Sequence, residues 1–69
     1  MQLRQRRKEL GLTQDDVARE AKISMQHYYL IENGKSQNIT KETMINIAQA
    51  LKATVTELFF PEESKEKVA

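Results

Sequence analysis

Apolar residues recur along the chain at helical spacing and nowhere alternate as they would in a strand. Leu3, Arg7 and Leu10 stand at i, i+4 and i+7, which predicts a first helix. Gly11 ends it, because glycine enters positive φ without steric cost. Thr13 is a good N-cap, and Asp16 three residues on approximates a capping box. A second helix follows, with Val17, Ala18 and Ala21 as its buried stripe. The pattern breaks at Lys22-Ile23, and Ser24 caps a third helix that runs through Tyr28 and Ile31. Asn33-Gly34 is the strongest stop in the chain. A polar loop from Lys35 to Asn38 leads to Thr40, the cap of a fourth helix with Met44, Ile47, Ala48 and Leu51 on one face. Thr54-x-x-Glu57 is a full capping box for a short fifth helix carrying Leu58 and Phe59. The expected fold is all-α, with five short helices in residues 1–60.

Pro61 marks a boundary, and the charged segment 61–69 has little to bury, so a frayed tail is expected there. Residues 1–60 hold nine basic and seven acidic side chains, a formal +2, and the tail a formal −1. A chain of 69 residues is one small domain. It buries only about 60% of its unfolded surface. With no Cys and only one His (His27), neither a disulfide nor a metal staples it, so packed helices must hold it together.

The same inventory excludes most enzymes. No zinc site, thiol nucleophile or glycine-rich phosphate loop can be built from one His, no Cys and two Gly. Ser24, Ser36 and Ser64 have no obvious base and orienting partner. No metal, cofactor or catalytic residue is therefore expected. No apolar run nears the ~18 residues of a membrane span. The basic start MQLRQRRK leads into ELGLTQDD, not an apolar stretch, which argues against a signal peptide. A cytoplasmic binding module is the expectation.

The informative unit runs from Gln14 to Gly34. Two helices joined by a turn of about three residues cross closely at a steep angle. Ala18 supplies the small residue such a crossing needs, Ile23 plugs the turn, and Tyr28 and Ile31 anchor the inner face of the second helix. Met25, Gln26, Tyr29 and Leu30 are left to face outward, from an N-terminus whose N–H groups favour anions. A helix of about ten residues is roughly 15 Å long, a fit for a major groove about 12 Å wide.

These residues resemble the phage repressor/Cro-type helix-turn-helix domain of the XRE-like family. The resemblance rests on LRQRRKELGLTQDDVAREA, then IS, IENGK, ITKETMINIAQAL and the TVTELFF ending, and covers roughly residues 2–60. GLTQ and IENGK, about twenty residues apart, form a specific pair. The resemblance implies a lambda-repressor-like five-helix domain with the helix-turn-helix in helices two and three. It also implies operator DNA as ligand, bound by a symmetric homodimer. Met25, Gln26 and Leu30 match positions that touch base edges. Gln14 matches a position that contacts phosphate and braces the recognition helix. Ser24 and His27 at the start of that helix, with Asn33, Lys35, Asn38 and Thr40, match positions along the DNA backbone. Arg7 and Glu32 match an ion pair that ties the first helix to the end of the third.

Departures from the pattern matter. Lys22 stands where many members have Gly, so the turn is expected to carry about 1 kcal/mol of left-handed strain. Arg6 replaces an aliphatic residue, with its stem expected to pack and its head to snorkel into solvent. Tyr28 enlarges a core position usually held by Ile or Val. Among the base-reading residues only Gln26 is a strong polar reader, suited to adenine, so A·T-rich half-sites are expected. The weak net charge predicts a shallow salt dependence. Leu58, Phe59 and Phe60 cannot all face one small core, which makes them dimer-interface candidates.

The expectation is a DNA-binding transcription regulator, a repressor. With the sequence ending at Ala69, no ligand-sensing domain is expected. The alternatives are an antitoxin-like or adaptor module that grips a protein partner, and an activator of the restriction–modification controller type.

Overall fold

The computed structural model describes residues 2–36 and 38–60, and the expected boundary at Pro61 and the tail 61–69 lie outside the described residues. Five helices follow one another: α1 (Leu3–Glu9), α2 (Gln14–Glu20), α3 (Met25–Glu32), α4 (Lys41–Ala50) and α5 (Val55–Phe59). There is no strand among the described residues.

Each helix after the first starts on a hydroxyl. Thr13, Ser24, Thr40 and Thr54 have extended backbone, and each side-chain oxygen accepts the N–H of the residue three positions on, at 3.0–3.1 Å. At Thr13 and Thr54 the box is reciprocal: the Asp16 and Glu57 carboxylates accept the cap N–H at 2.9 and 3.1 Å. Those hydrogen bonds hold both carboxyls below their usual pKa. α1 lacks a side-chain cap; instead Gln2 N–H donates to Leu58 O at 3.1 Å and joins the start of α1 to α5.

The ends of α1 to α4 share one device. Gly11, Lys22, Gly34 and Lys52 all take positive φ, between 54° and 71°. In every case the following N–H reaches back to a carbonyl five residues earlier: Leu12 to Arg7, Ile23 to Ala18, Lys35 to Leu30 and Ala53 to Ala48. These are Schellman caps, which satisfy carbonyls a helix end leaves orphaned. Lys22 is left-handed as expected. Lys52 repeats the arrangement at the end of α4, where the sequence had suggested nothing.

The core is Leu3, Val17, Ala18, Ala21, Tyr28, Ile31, Ile47, Ala48, Ala50, Leu51 and Leu58. Leu10 and Met44, expected on buried faces, are half-buried, whereas Ala50 is buried. Tyr28 is the largest fully buried side chain, so the enlarged core position is accommodated. Arg6 differs from the expected snorkel. Its stem packs, but its Nε donates to Leu51 O at 2.9 Å and its Nη2 to Lys52 O at 3.0 Å. A guanidinium thus sits on the C-terminal carbonyls of α4, where the helix dipole favours a cation.

Candidate nucleic-acid interface

Three positions hold α3 against the body. Tyr28 and Ile31 are fully buried, and Glu32 follows with a side chain out of contact with solvent. Below them Val17, Ala18 and Ala21 provide a close-packed floor, and Ile23 in the turn packs against the same core. The opposite side of α3 is open. Met25 is 54% and Tyr29 47% exposed, and Gln26 is exposed between them and Leu30. Leu30 and His27 are half-buried at the edges of that face. α3 therefore presents a short outward face on a fixed base.

Glu32 is the centre of the fixing. Its Oε1 accepts from Arg7 Nε at 2.8 Å and from the Tyr28 hydroxyl at 3.0 Å. Its Oε2 accepts from Gln14 Nε2 at 2.9 Å, with Arg7 Nη2 at 3.4 Å and Arg4 Nε at 3.5 Å. Arg7 Nη1 also donates to Leu12 O at 2.9 Å. One carboxylate thereby joins α1, α2 and α3. Burial alone would push its pKa up; the hydrogen bonds from Arg7, Gln14 and Tyr28 and the Arg7 charge outweigh that and hold it at about 2. Burial, then the neighbouring Glu32 charge, push the Tyr28 phenol well above its usual 10.

The expected Arg7–Glu32 pair is present. Sequence reasoning missed Arg4 and the Tyr28 hydroxyl as further members. Both had a local sign: Arg4 precedes Arg7 by three residues and Tyr28 precedes Glu32 by four, so each shares a helix face with a member already identified.

The residues matched to DNA-backbone positions divide by what they already bond. Ser24 and Thr40 spend a lone pair on their own helix caps, and the Thr40 hydroxyl donates to Thr43 Oγ1 at 2.9 Å. Gln14 spends one amide N–H on Glu32 and keeps a second. Asn33 is the most engaged: its Nδ2 donates to Tyr29 O at 2.8 Å, and its Oδ1 accepts from Arg4 Nη2 at 2.7 Å. Lys35 and Asn38 are exposed on the loop before Thr40. Of the nearby cations, Arg19 is paired with Asp15 one turn away, while Lys22, Lys35 and Lys41 are exposed.

At the far end of the described residues Leu58 is buried, Phe59 is half-buried against the core, and Phe60 is 44% exposed. No group of three or more metal-ligating side chains occurs among the described residues. No helix among them is long and apolar enough to cross a membrane.

Compared with curated proteins and with solved structures, the chain matches none of them significantly. The family model described as Helix-turn-helix matches residues 3–58, from the first residue of α1 into α5. That span takes in the capped helix pair, the exposed face of α3 and every residue around Glu32, and the chain belongs to the helix-turn-helix family, as an XRE-like member of these DNA-binding regulators.

Proposed function

We propose that the protein is a sequence-specific binder of double-stranded DNA that represses transcription, inserting α3 into the major groove as a homodimer. The observation that carries this reading is the contrast along α3. Met25 and Gln26 lie exposed on its first turn, while Tyr28, Ile31 and Glu32 lock the same helix to the body. A reader of base edges needs this combination, because a hydrogen bond to a base discriminates only when its donor is held in place.

In this reading Gln26 makes a bidentate contact with adenine, and Met25 and Leu30 lie against thymine methyls. Gln14, Ser24, His27, Asn33, Lys35, Asn38 and Thr40 set the register on the phosphates. Gln14 does so with the amide N–H left over from Glu32. Phe60, with Phe59 and Leu58 behind it, serves the second subunit, and two copies of α3 enter successive major grooves about 34 Å apart.

Gln26→Ala tests the reading. Gln26 is exposed, so the variant keeps its fold. It should lose sequence-specific binding while retaining weak, salt-sensitive attraction to any duplex. Unchanged specific affinity would refute the assignment.

One observation favours a different class of partner. Met25 and Tyr29 are large apolar side chains exposed on one helix face, as in a protein-binding surface. In that reading, an antitoxin-like or adaptor module, Gln26→Ala spares partner binding and no DNA sequence is preferred.

A further inference from the structure

The outward face of α3 has a different centre from the one its matched positions suggest. At about 3.6 residues per turn, Tyr29 falls between Met25 and Gln26, whereas Leu30 falls beyond Gln26 on the side of His27. Burial agrees: Tyr29 is 47% exposed, while Leu30 and His27 are half-buried. The ring is also carried on an immobilised stretch of backbone. Tyr29 O accepts two hydrogen bonds from one residue, Asn33 N–H at 3.1 Å and Asn33 Nδ2 at 2.8 Å. Asn33 is itself held by Arg4, which reaches Glu32. A tyrosine has only two side-chain torsions to fix, so it presents a large apolar area at small entropic cost.

We propose that Tyr29 is a specificity-determining residue whose ring, beside Met25, packs against the C5-methyl group of a pyrimidine in the major groove. This rests on the DNA-binding reading above and adds to it a residue and a chemical group. The preference for that group follows from what the ring can offer. A phenol beside a thioether forms no bidentate pattern for guanine or adenine, but it removes a methyl group from water. Thymine and 5-methylcytosine both carry that methyl.

The test uses the full chain and the best duplex selected from random sequence, with each thymine replaced singly by deoxyuridine. Removing one buried methyl should weaken wild-type binding about fourfold at each thymine whose methyl is packed, and one such position in each half-site belongs to Tyr29. Tyr29→Ala should bind thymine and deoxyuridine there equally, and Tyr29→Phe should keep the discrimination, since the ring and not the hydroxyl makes the contact. Tyr29→Gln, a good helix former, serves as the second truncation if the alanine variant unfolds. At the same position, 5-methylcytosine that binds better than cytosine assigns the site to the methyl on either base; an equal affinity assigns it to thymine. Full discrimination at every sensitive thymine in whichever of Tyr29→Ala and Tyr29→Gln folds, or no sensitive thymine in the wild type, overturns the proposal even where Gln26→Ala abolishes specific binding. If the wild type selects no sequence at all, the DNA reading and this inference fall together.

Discussion

Arg7 and Glu32 meet across 25 residues of sequence at 2.8 Å, with the Glu32 side chain wholly out of solvent and that of Arg7 nearly so. Desolvation offsets much of the attraction in such a pair, so its main effect is to fix the angle at which α3 leaves the body. Removing one partner is another matter, because the other charge stays buried. Arg7→Ala should destabilise the fold by about 3 kcal/mol or more, a large share of what a domain this small has. Urea unfolding measures it. In a double-mutant cycle with Glu32→Gln the two losses should fall well short of adding.

Acid should act through the same carboxylate. Glu32 is held at about 2 against an ordinary value of 4.5, so its folded form is the more acidic. The stabilisation it provides is complete above pH ~4.5 and is lost as pH falls towards 2, on the order of 3 kcal/mol in all. Asp16 and Glu57, also lowered, add to the slope in the same direction. Glu32→Gln should flatten most of the acid limb in a series of thermal melts. At the other extreme the Tyr28 phenol is raised, so stability present below pH 10 should decline as pH rises beyond it.

The four left-handed helix ends make a comparison within one molecule. Lys22 and Lys52 bear a cost that Gly11 and Gly34 do not. Lys22→Gly and Lys52→Gly should each raise stability by about 0.5–1 kcal/mol, reduced by the freer unfolded chain. They end different helices, so the gains should add. Gly11→Ala should lose about 1 kcal/mol. A methyl group there would meet nothing within 4 Å, so that loss is purely a backbone effect. Chemical denaturation midpoints of the three variants decide this.

Much of this architecture was legible because it is local. The hydroxyls at Thr13, Ser24, Thr40 and Thr54 announce helix starts through bonds that span three residues, and Gly11 and Gly34 announce ends. Lys52 escaped notice because a lysine carries no mark of positive φ; only the helix that stops before it and Ala53 after it reveal the cap. The candidate site was legible in its outward face, in one ion pair and, through the family resemblance, in the brace from Gln14 to α3. The reach of Arg4 to Glu32 crosses 28 residues, and Arg6 reaches carbonyls 45 and 46 residues away. Such contacts depend on how the helices pack, which spacing along one helix does not encode.

Salt should matter less for DNA binding than is usual for a DNA-binding regulator. The arginines of α1 resemble a basic arm in sequence, yet Arg4, Arg6 and Arg7 donate to Glu32, Asn33 and the end of α4. With Arg19 paired to Asp15, Lys22, Lys35 and Lys41 remain to meet phosphates. Three contacts per subunit would give the proposed dimer a log K against log salt slope of about −5. Titrations from 50 to 200 mM salt should find that slope or a shallower one; a value near −8 would mean that the α1 arginines reach the DNA.

The most direct measurement is selection of bound duplexes from random DNA. An outward face of Met25, Gln26, Tyr29 and Leu30 predicts two inverted half-sites about one helical turn apart, with A·T pairs at the positions under Gln26 and its apolar neighbours. Enrichment of G·C at each of those positions, or of no sequence at all, would contradict the claim that α3 is held out to read bases.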